Sequence, residues 1–411
     1  MTKAKFRLKL ILLLVAVAIV PGPAPARAAR EAAIRATFDV TYVFAQQITF
    51  KLDAKADARI TRATVFFQSD RSALQQAEAT FTPDTSVDIQ LTRELRGGAI
   101  PPFSRVTYWW EIVDENNVKE TTPRTTFDYF DNRYDWQKVT DGGVTLRWVV
   151  GDAAFAESIL QTALGALPGI SGELGVRPPS NIDIYVYPSR EDLIGALRLG
   201  GRDWAGGQAR PELGVVLVDV PATPDASVEM RRVIPHEITH LLVYAATQPN
   251  YARVPAWLDE GLATANEASP DPALKVALDA AVSSGQLITF ESLCAPFSAK
   301  ASEALQAYAQ SGSLIQFIRD RYGGRGIRSL LTVYRENAAC VPGVERALGV
   351  TLPALEGEWR TRSAPGAQAT RAVVETSAPW LALIAVIGLA LLPILMAPIR
   401  SNARLAKDRK P

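Results

Sequence analysis

The chain has 411 residues, of which 48% are hydrophobic and 21% are charged. This composition excludes fibrous and generally disordered proteins and is sufficient for two domains with hydrophobic cores. The formal net charge is +1, but segment 1–28 contributes five positive charges and residues 400–411 contribute a net +4. The remaining residues therefore carry a net charge of −8, and this value excludes the basic surface of a nucleic-acid-binding protein.

The first 28 residues are typical of a secretory signal peptide. Basic residues precede an apolar run from Leu10 to Val20, and the small residues Ala26 and Ala28 follow it. We therefore expect export, with a mature chain that begins near Ala29.

Residues 29–135 are predicted to form a β-sandwich domain. Short runs of β-branched and aromatic residues alternate with turn-forming stretches, and VTYWWEIVDENNVKETTPRTTFDY is similar to the last hairpin of an immunoglobulin or fibronectin type III domain. Tyr108, Trp109 and Trp110 suit either a carbohydrate-binding platform or core packing. Strand alternation buries at least one tryptophan and favours the core.

The pattern changes in the second predicted domain, residues 136–363. VTLRWVV is a predicted strand, helical spacing of apolar residues follows from Phe155 to Leu167, and NIDIYVYPS and LGVVLVDV are further strands. Beyond Ala263 the pattern is mostly helical. The domain therefore mixes strands and helices in the order of an α+β fold.

The segment HEITH, residues 236–240, contains both histidines of the chain. Residues four apart share one helix face, so His236 and His240 can offer two nitrogens to one metal ion. Glu237, one step round the helix, can reach a water on that metal. A third ligand must come from elsewhere, and Glu260 in PAWLDEGLA follows twenty positions after His240.

The two cysteines, Cys294 and Cys340, both lie in the part expected to be exported. An exported chain permits a disulfide, while the alternative is two buried free thiols. Neither cysteine lies in a CxxC or Cys/His cluster, so we expect no metal role for them.

The C-terminal end is predicted to anchor the protein in the cell membrane. Residues 364–378 are typical of a linker, residues 379–399 contain no charge and are long enough for a transmembrane helix, and residues 400–411 form a basic tail. The positive-inside rule places that tail in the cytoplasm and the body outside. The alternative for residues 379–399 is a buried core helix.

HEITH and PAWLDEGLA together resemble the gluzincin zinc metallopeptidases, in their peptidase MA-like branch. The resemblance covers roughly residues 140–360 and is strongest over residues 230–264. It implies a thermolysin-like domain that binds one zinc ion through His236, His240 and Glu260, with Glu237 as the general base.

The same resemblance implies further roles near the site. LGVVLVDV would be the sheet edge that pairs with an extended peptide substrate. Tyr308 resembles the tyrosine of the Tyr-x-x-Gly segment of gluzincin aminopeptidases, which supports the tetrahedral intermediate, although Ser311 replaces the glycine.

Several residues depart from the family pattern. Pro235 lacks a helical N–H and either kinks the helix or starts a new segment. Thr264 stands where thermolysin-type enzymes have an aspartate, which leaves the residue that orients His236 unassigned and Asp259 as a weak candidate. AGGQAR, residues 205–210, stands where a GAMEN-like segment would bind a free amino terminus, which argues against aminopeptidase action.

These observations favour a membrane-anchored extracytoplasmic zinc peptidase, with endopeptidase action, that cleaves peptide or protein substrates. One alternative is an inactive zinc-binding scaffold whose β-sandwich binds a cell-surface partner, and another is a structural surface protein without a metal. The intact Glu237 favours the enzyme, because a scaffold has no need of a general base.

Overall fold

The computed structural model describes residues 34–70, 72–95, 100–197, 206–298 and 300–363. The predicted signal peptide, linker, membrane span and basic tail all lie outside these ranges.

The N-terminal part of the described chain is β-rich. Its strands are β1 (Ile34–Val43), β2 (Gln47–Ser69), β3 (Gln75–Glu78), β4 (Asp84–Glu94), β5 (Ser104–Asp114), β6 (Lys119–Thr121) and β7 (Thr125–Tyr129). The first half of β2 pairs with β1 and β4, and its second half pairs with β3 and β5 after a register shift. β5 then pairs with β6 and β7.

All seven strands thus belong to one hydrogen-bonded system joined through β2. The predicted β-rich region is confirmed. The immunoglobulin or fibronectin type III identity is not, because those folds divide their strands between two separate sheets.

The aromatic cluster of β5 contributes mainly to packing. Tyr108 and Trp110 are 2% and 0% exposed and lie in the core of the β-rich region. The ring of Trp109 stacks on Phe66 at 5.5 Å, and the Arg124 guanidinium lies 4.2 Å above it. The ring that alternation leaves outside the core is therefore already in contact with protein side chains.

The remaining five strands of the described chain form a second sheet. It has the order β11–β12–β10–β9–β8, with parallel pairing of β12, β10 and β9 and antiparallel pairing at both ends. The strands are β8 (Gln137–Asp141), β9 (Val144–Trp148), β10 (Ile182–Tyr187), β11 (Gly207–Arg210) and β12 (Val215–Asp219).

This sheet order corrects the prediction for LGVVLVDV. Its strand, β12, lies inside the sheet, and β11 forms the edge beyond it. The chain reverses through a 3₁₀ turn at Pro211–Leu213 and through Gly214, whose φ of 67° favours glycine. This reversal folds β11 back onto β12 and covers it.

Eight helices follow or interleave the strands in the described ranges. They are α1 (Ala153–Leu174), α2 (Arg190–Leu197), α3 (Ala226–Thr247), α4 (Ala256–Ala265), α5 (Pro272–Ser284), α6 (Ala301–Arg335), α7 (Cys340–Leu348) and α8 (Leu352–Ser363). The region is therefore mixed α/β with a mainly helical C-terminal part.

The two faces of the second sheet pack against different partners. Ile184 and Val216 belong to a core that includes α1 and α3, whereas Tyr185, Tyr187 and Leu217 pack with the β-rich region. This follows from the two-residue period of a strand. The sheet therefore supports the helix that carries HEITH on one side and the N-terminal strands on the other.

The predicted membrane anchor is not supported. Within the described ranges, no helix combines the length and the apolar character that a bilayer requires. The longest, α6, has 35 residues but contains charges such as Arg319 and Asp320 and is interrupted at Gly323. The expected cell-membrane localisation is corrected accordingly, and residues 379–399, on which it depended, lie outside the described residues.

A disulfide joins Cys294 and Cys340. It connects the 3₁₀ turn Ser292–Cys294 to the first residue of α7. Of the two alternatives that the sequence left open, the bridge is therefore the one that the structure contains.

Candidate metal centre and active site

The helix α3 presents both histidines from one continuous segment. Pro235 lies inside it without ending it. An interior proline removes one backbone N–H and commonly costs about 3 kcal/mol. The carbonyl of Arg231, which would have accepted that N–H, accepts the N–H of Ala268 at 2.9 Å instead. Because the lost hydrogen bond is replaced, the helix continues through HEITH.

The third candidate donor, Glu260, lies on α4. Oε2 of Glu260 lies 3.7 Å from Nε2 of His236 and 3.5 Å from Nε2 of His240. The helix approaches α6 closely at Gly261, where a Cβ would lie 2.7 Å from the Ser311 carbonyl oxygen. Glycine at this position therefore allows the packing that brings Glu260 to the histidines.

The spacing of these three donors fits a zinc ion. Tetrahedral zinc ligands at about 2.0–2.1 Å from the metal lie about 3.3 Å from one another. Candidate ligand atoms of His236, His240 and Glu260 lie within 4.8 Å of one another, and their side chains are only 12–18% exposed. The set of two imidazoles and one carboxylate leaves a fourth position for water, as in catalytic zinc sites.

Each imidazole is oriented by a carboxylate at its other nitrogen. Nδ1 of His236 lies 2.9 Å from Oε1 of Glu267, and Nδ1 of His240 lies 3.0 Å from Oδ1 of Asp259. Tyr251 donates its hydroxyl to the second oxygen of Asp259 at 2.6 Å. Because ionised carboxylates only accept, each Nδ1 donates and each Nε2 lone pair is left for a metal.

Because Thr264 replaces the family's aspartate, the sequence left the residue that orients His236 unassigned, and these contacts identify it. Asp259 orients His240 rather than His236, and Glu267 takes the role toward His236. Sequence reasoning missed Glu267, which lies seven residues after Glu260 and beyond the end of α4. A seven-residue spacing places two residues on the same helix face only if the helix continues between them. Because α4 ends at Ala265, the spacing is a weak signal for Glu267.

The electrostatics of the cluster favour a bound cation. Burial lowers the pKa of His236, but Glu260 and Glu267 outweigh this and raise it to about 9. Burial also opposes charge on His240, and Asp259 and Glu260 raise its pKa well above the ordinary value. Although burial raises the pKa of Glu260, the two imidazoles bring it far below its usual range. The carboxylates thus stabilise positive charge here, as a divalent cation requires.

Glu237 lies beside these donors and under the sheet edge. It is 6% exposed, and burial raises its pKa. The backbone of Ala209 donates a hydrogen bond to it, and a Cβ on Gly207 would lie 2.7 Å from its Oε1. The carboxylate is therefore held between α3 and β11.

The edge strand β11 directs some of its backbone groups away from β12 at this point. Asp219 N–H donates to the Gly206 carbonyl, and Gly207 lies opposite Val218. In an antiparallel pair, alternate residues face the partner, so the N–H and C=O of Gly207 and Ala209 point away from β12. Residues 206–210, where the sequence lacks a GAMEN-like segment, thus lie along the edge of the sheet.

Tyr308 lies on α6 at the wall of the same cleft. Its ring centroid is 6.2 Å from that of His236. The ring also packs edge-on against Phe297, with a centroid distance of 5.2 Å. The cleft has a volume of about 760 Å³. Its lining includes all five predicted site residues, together with Gly207, Ala209, Arg232, Leu274 and Leu305.

No curated protein matches this chain significantly. Among solved structures, an aminopeptidase N family protein from Idiomarina loihiensis aligns at 9% identity and a TM-score of 0.36, covering 77% of this chain and 73% of that one. A carbohydrate-binding module family 56 β-1,3-glucan binding domain aligns at 13% identity and a TM-score of 0.17, covering 23% of this chain and 98% of its own. TM-scores of this size do not establish a common fold.

The family comparison covers the region that contains the cleft. Residues 162–364 match the family model described as the Peptidase MA superfamily. This range runs from α1 to the end of α8 and includes all five predicted site residues. The match supports a metallopeptidase domain in this part of the chain.

Proposed function

We propose that this protein is a zinc-dependent peptidase of gluzincin type that cleaves within peptide chains. The observation that carries the proposal is the convergence of Nε2 of His236, Nε2 of His240 and Oε2 of Glu260, with Glu237 buried beside them. Each imidazole also has its Nδ1 engaged by a carboxylate, so the donor set is arranged for a metal rather than for solvent.

The mechanism divides between the ion and the protein. A zinc ion bound by the three donors would polarise the scissile carbonyl and make a coordinated water more acidic. Glu237 accepts the proton from the attacking water and delivers it to the leaving amine. Its burial supports this role, since it raises the pKa toward the range in which a carboxylate both takes up and releases a proton.

Tyr308 is proposed as a donor to the oxygen that becomes negative during attack. Its ring lies beside His236 at the wall of the cleft. A hydroxyl donor at such a position stabilises the transition state more than the substrate, which lowers the barrier.

The substrate is proposed to bind as an extended strand along β11. The outward N–H and C=O of Gly207 and the outward C=O of Ala209 provide hydrogen bonds that an added strand needs, whereas the Ala209 N–H donates to Glu237. Residues 206–210, GGQAR, contain no acidic side chain to hold a free amino terminus. This composition supports endopeptidase rather than aminopeptidase action.

The decisive experiment is Glu237→Gln. The substitution keeps the size of the side chain but removes the proton acceptor, so the protein should retain one zinc per chain. Hydrolysis of fluorescein-labelled casein should fall by about 100-fold to 10,000-fold. A matched control is Glu157→Gln on the exposed face of α1, which should retain both zinc and activity.

Three results would contradict this proposal. Wild-type protein that binds no zinc would remove the metal site, and zinc-loaded Glu237→Gln that cleaves casein at the wild-type rate would remove the base. Zinc-loaded wild-type protein that cleaves no peptide would favour the inactive scaffold.

A further inference from the structure

The end of α4 and the turn that follows it, together residues 265–268, carry the carboxylate that orients His236. Glu267 lies beyond the last helical residue, so the periodicity of α4 no longer determines its position. Its side chain is nevertheless only 5% exposed and contacts Nδ1 of His236 at 2.9 Å. Contacts outside α4 must therefore hold this turn in place.

The first of these contacts depends on Pro235. An ordinary residue at this position would donate its N–H to the Arg231 carbonyl, four residues earlier. Proline has no N–H, and the Arg231 carbonyl accepts the N–H of Ala268 instead. The residue next to Glu267 is thus fastened to the helix turn that precedes His236.

The second contact comes from α6. Arg319 donates to the Ala265 carbonyl at 3.0 Å and to Oδ1 of Asn266 at 2.7 Å. The guanidinium is itself fixed by a two-point ion pair with Glu173 of α1, at 2.6 and 2.7 Å. Asn266 then donates to the Thr239 hydroxyl on α3 at 3.2 Å. The turn is therefore held by α1, α3 and α6 together.

We infer that Pro235 is a positioning residue for the metal site. Proline supplies no N–H, and its ring displaces the carbonyl four residues earlier from the helix line, so the Arg231 carbonyl is directed to Ala268 and this hydrogen bond seats Glu267 against His236. Arg319 holds the other end of the same turn. The inference rests on the metal-binding part of the proposed function and adds the residues that preorganise one ligand.

The competing explanation is that Pro235 is merely tolerated in α3. The two explanations differ for Pro235→Ala. If Pro235 is merely tolerated, the alanine stabilises the helix and leaves zinc binding unchanged. If Pro235 positions Glu267, the new N–H at residue 235 draws the Arg231 carbonyl back into the helix line and away from Ala268, so the turn loosens and zinc affinity falls.

Zinc affinity should be measured on the whole protein by competition with a chromogenic chelator, alongside the melting temperature of the metal-free form. Loss of a group that orients a ligand typically weakens metal binding by about 10-fold to 100-fold. We expect Glu267→Ala to fall in this range, Glu267→Gln to recover part of the loss and Pro235→Ala to lose about 10-fold. Pro168→Ala, at the other proline inside a long helix of the described chain, is the matched control and should bind zinc normally.

The double variant Pro235→Ala with Glu267→Ala decides whether the two residues act together. If Pro235 works through Glu267, the double variant binds zinc about as weakly as Glu267→Ala alone. Losses that add in full, or zinc affinity in Pro235→Ala equal to wild type, overturn the inference while leaving the proposed peptidase intact. Absence of zinc binding by the wild-type protein overturns both.

Discussion

The contact between Gly207 and Glu237 gives the sharpest prediction for catalysis. A Cβ added to Gly207 would lie 2.7 Å from Oε1, 2.9 Å from Cγ and 3.0 Å from Cδ of Glu237. These atoms belong to the buried, hydrogen-bonded carboxylate rather than to a free side-chain end. Gly207→Ala must therefore displace the proposed base.

The displacement follows from the contact distances. Ordinary contact of a Cβ begins at 3.4 Å, so the carboxylate must move by about 0.7 Å. A misplacement of about 1 Å in a catalytic group can cost about 100-fold in rate. We expect kcat to fall by roughly 10-fold to 100-fold, or about 1.4–2.7 kcal/mol of transition-state stabilisation. The backbone edge of β11 persists, so KM should change little.

The assay is casein hydrolysis at saturating and limiting substrate, with zinc content measured on the same samples. Gly206→Ala is the matched control, because its Cβ would meet only ordinary contacts of 3.4 Å or more with Arg232, Asp219 and Glu229. It should keep near wild-type rates. Wild-type kcat in zinc-loaded Gly207→Ala, or equal losses in both variants, would refute this reasoning.

Four further predictions test the site and the fold. Glu260→Ala should lose the bound zinc, because only two imidazole donors then remain; full zinc content by atomic absorption would contradict the proposed ligand set. Tyr308→Phe should keep zinc and lower kcat by up to about 100-fold, as expected for one oxyanion donor, and an unchanged kcat would remove that role. Replacing Cys294 and Cys340 by serine should lower the free energy of unfolding by up to about 4 kcal/mol for a separation of 46 residues, which urea denaturation would measure, with an unchanged midpoint as the opposing result. Burial raises the pKa of Asp219 from 3.8 to about 6, so its contribution to stability is present below pH 3.8 and lost as the pH rises through 6. Asp219→Asn should therefore stabilise the protein by roughly 2 kcal/mol at pH 7 and by almost nothing at pH 3.5, and an equal gain at both pH values would exclude this cause.

Local patterns were sufficient for the parts of the site that lie within one element. His236 and His240 share a face because four residues nearly complete one helical turn, and this holds wherever the helix packs. The disulfide required no choice among partners, because Cys294 and Cys340 are the only two cysteines of the sequence. Glu260 was identified from the resemblance of PAWLDEGLA, and the structure brings it to the histidines.

Other features depended on contacts between distant segments. LGVVLVDV has the composition of a strand at any place in a sheet, and only the reversal at Gly214 makes β11 the edge. A membrane anchor was predicted from hydropathy alone, and no described helix supports it.

The chemistry of the candidate site follows from residue types and from the helical spacing of HEITH, both of which act locally. The orientation of these side chains depends instead on contacts between distant segments. Glu267 reaches His236 because Ala268 bonds to a carbonyl that Pro235 leaves free and because Arg319 holds the same turn from α6. These partners lie 31 or more residues apart in the chain, where no periodicity connects them, so their meeting is a property of the packed helices alone.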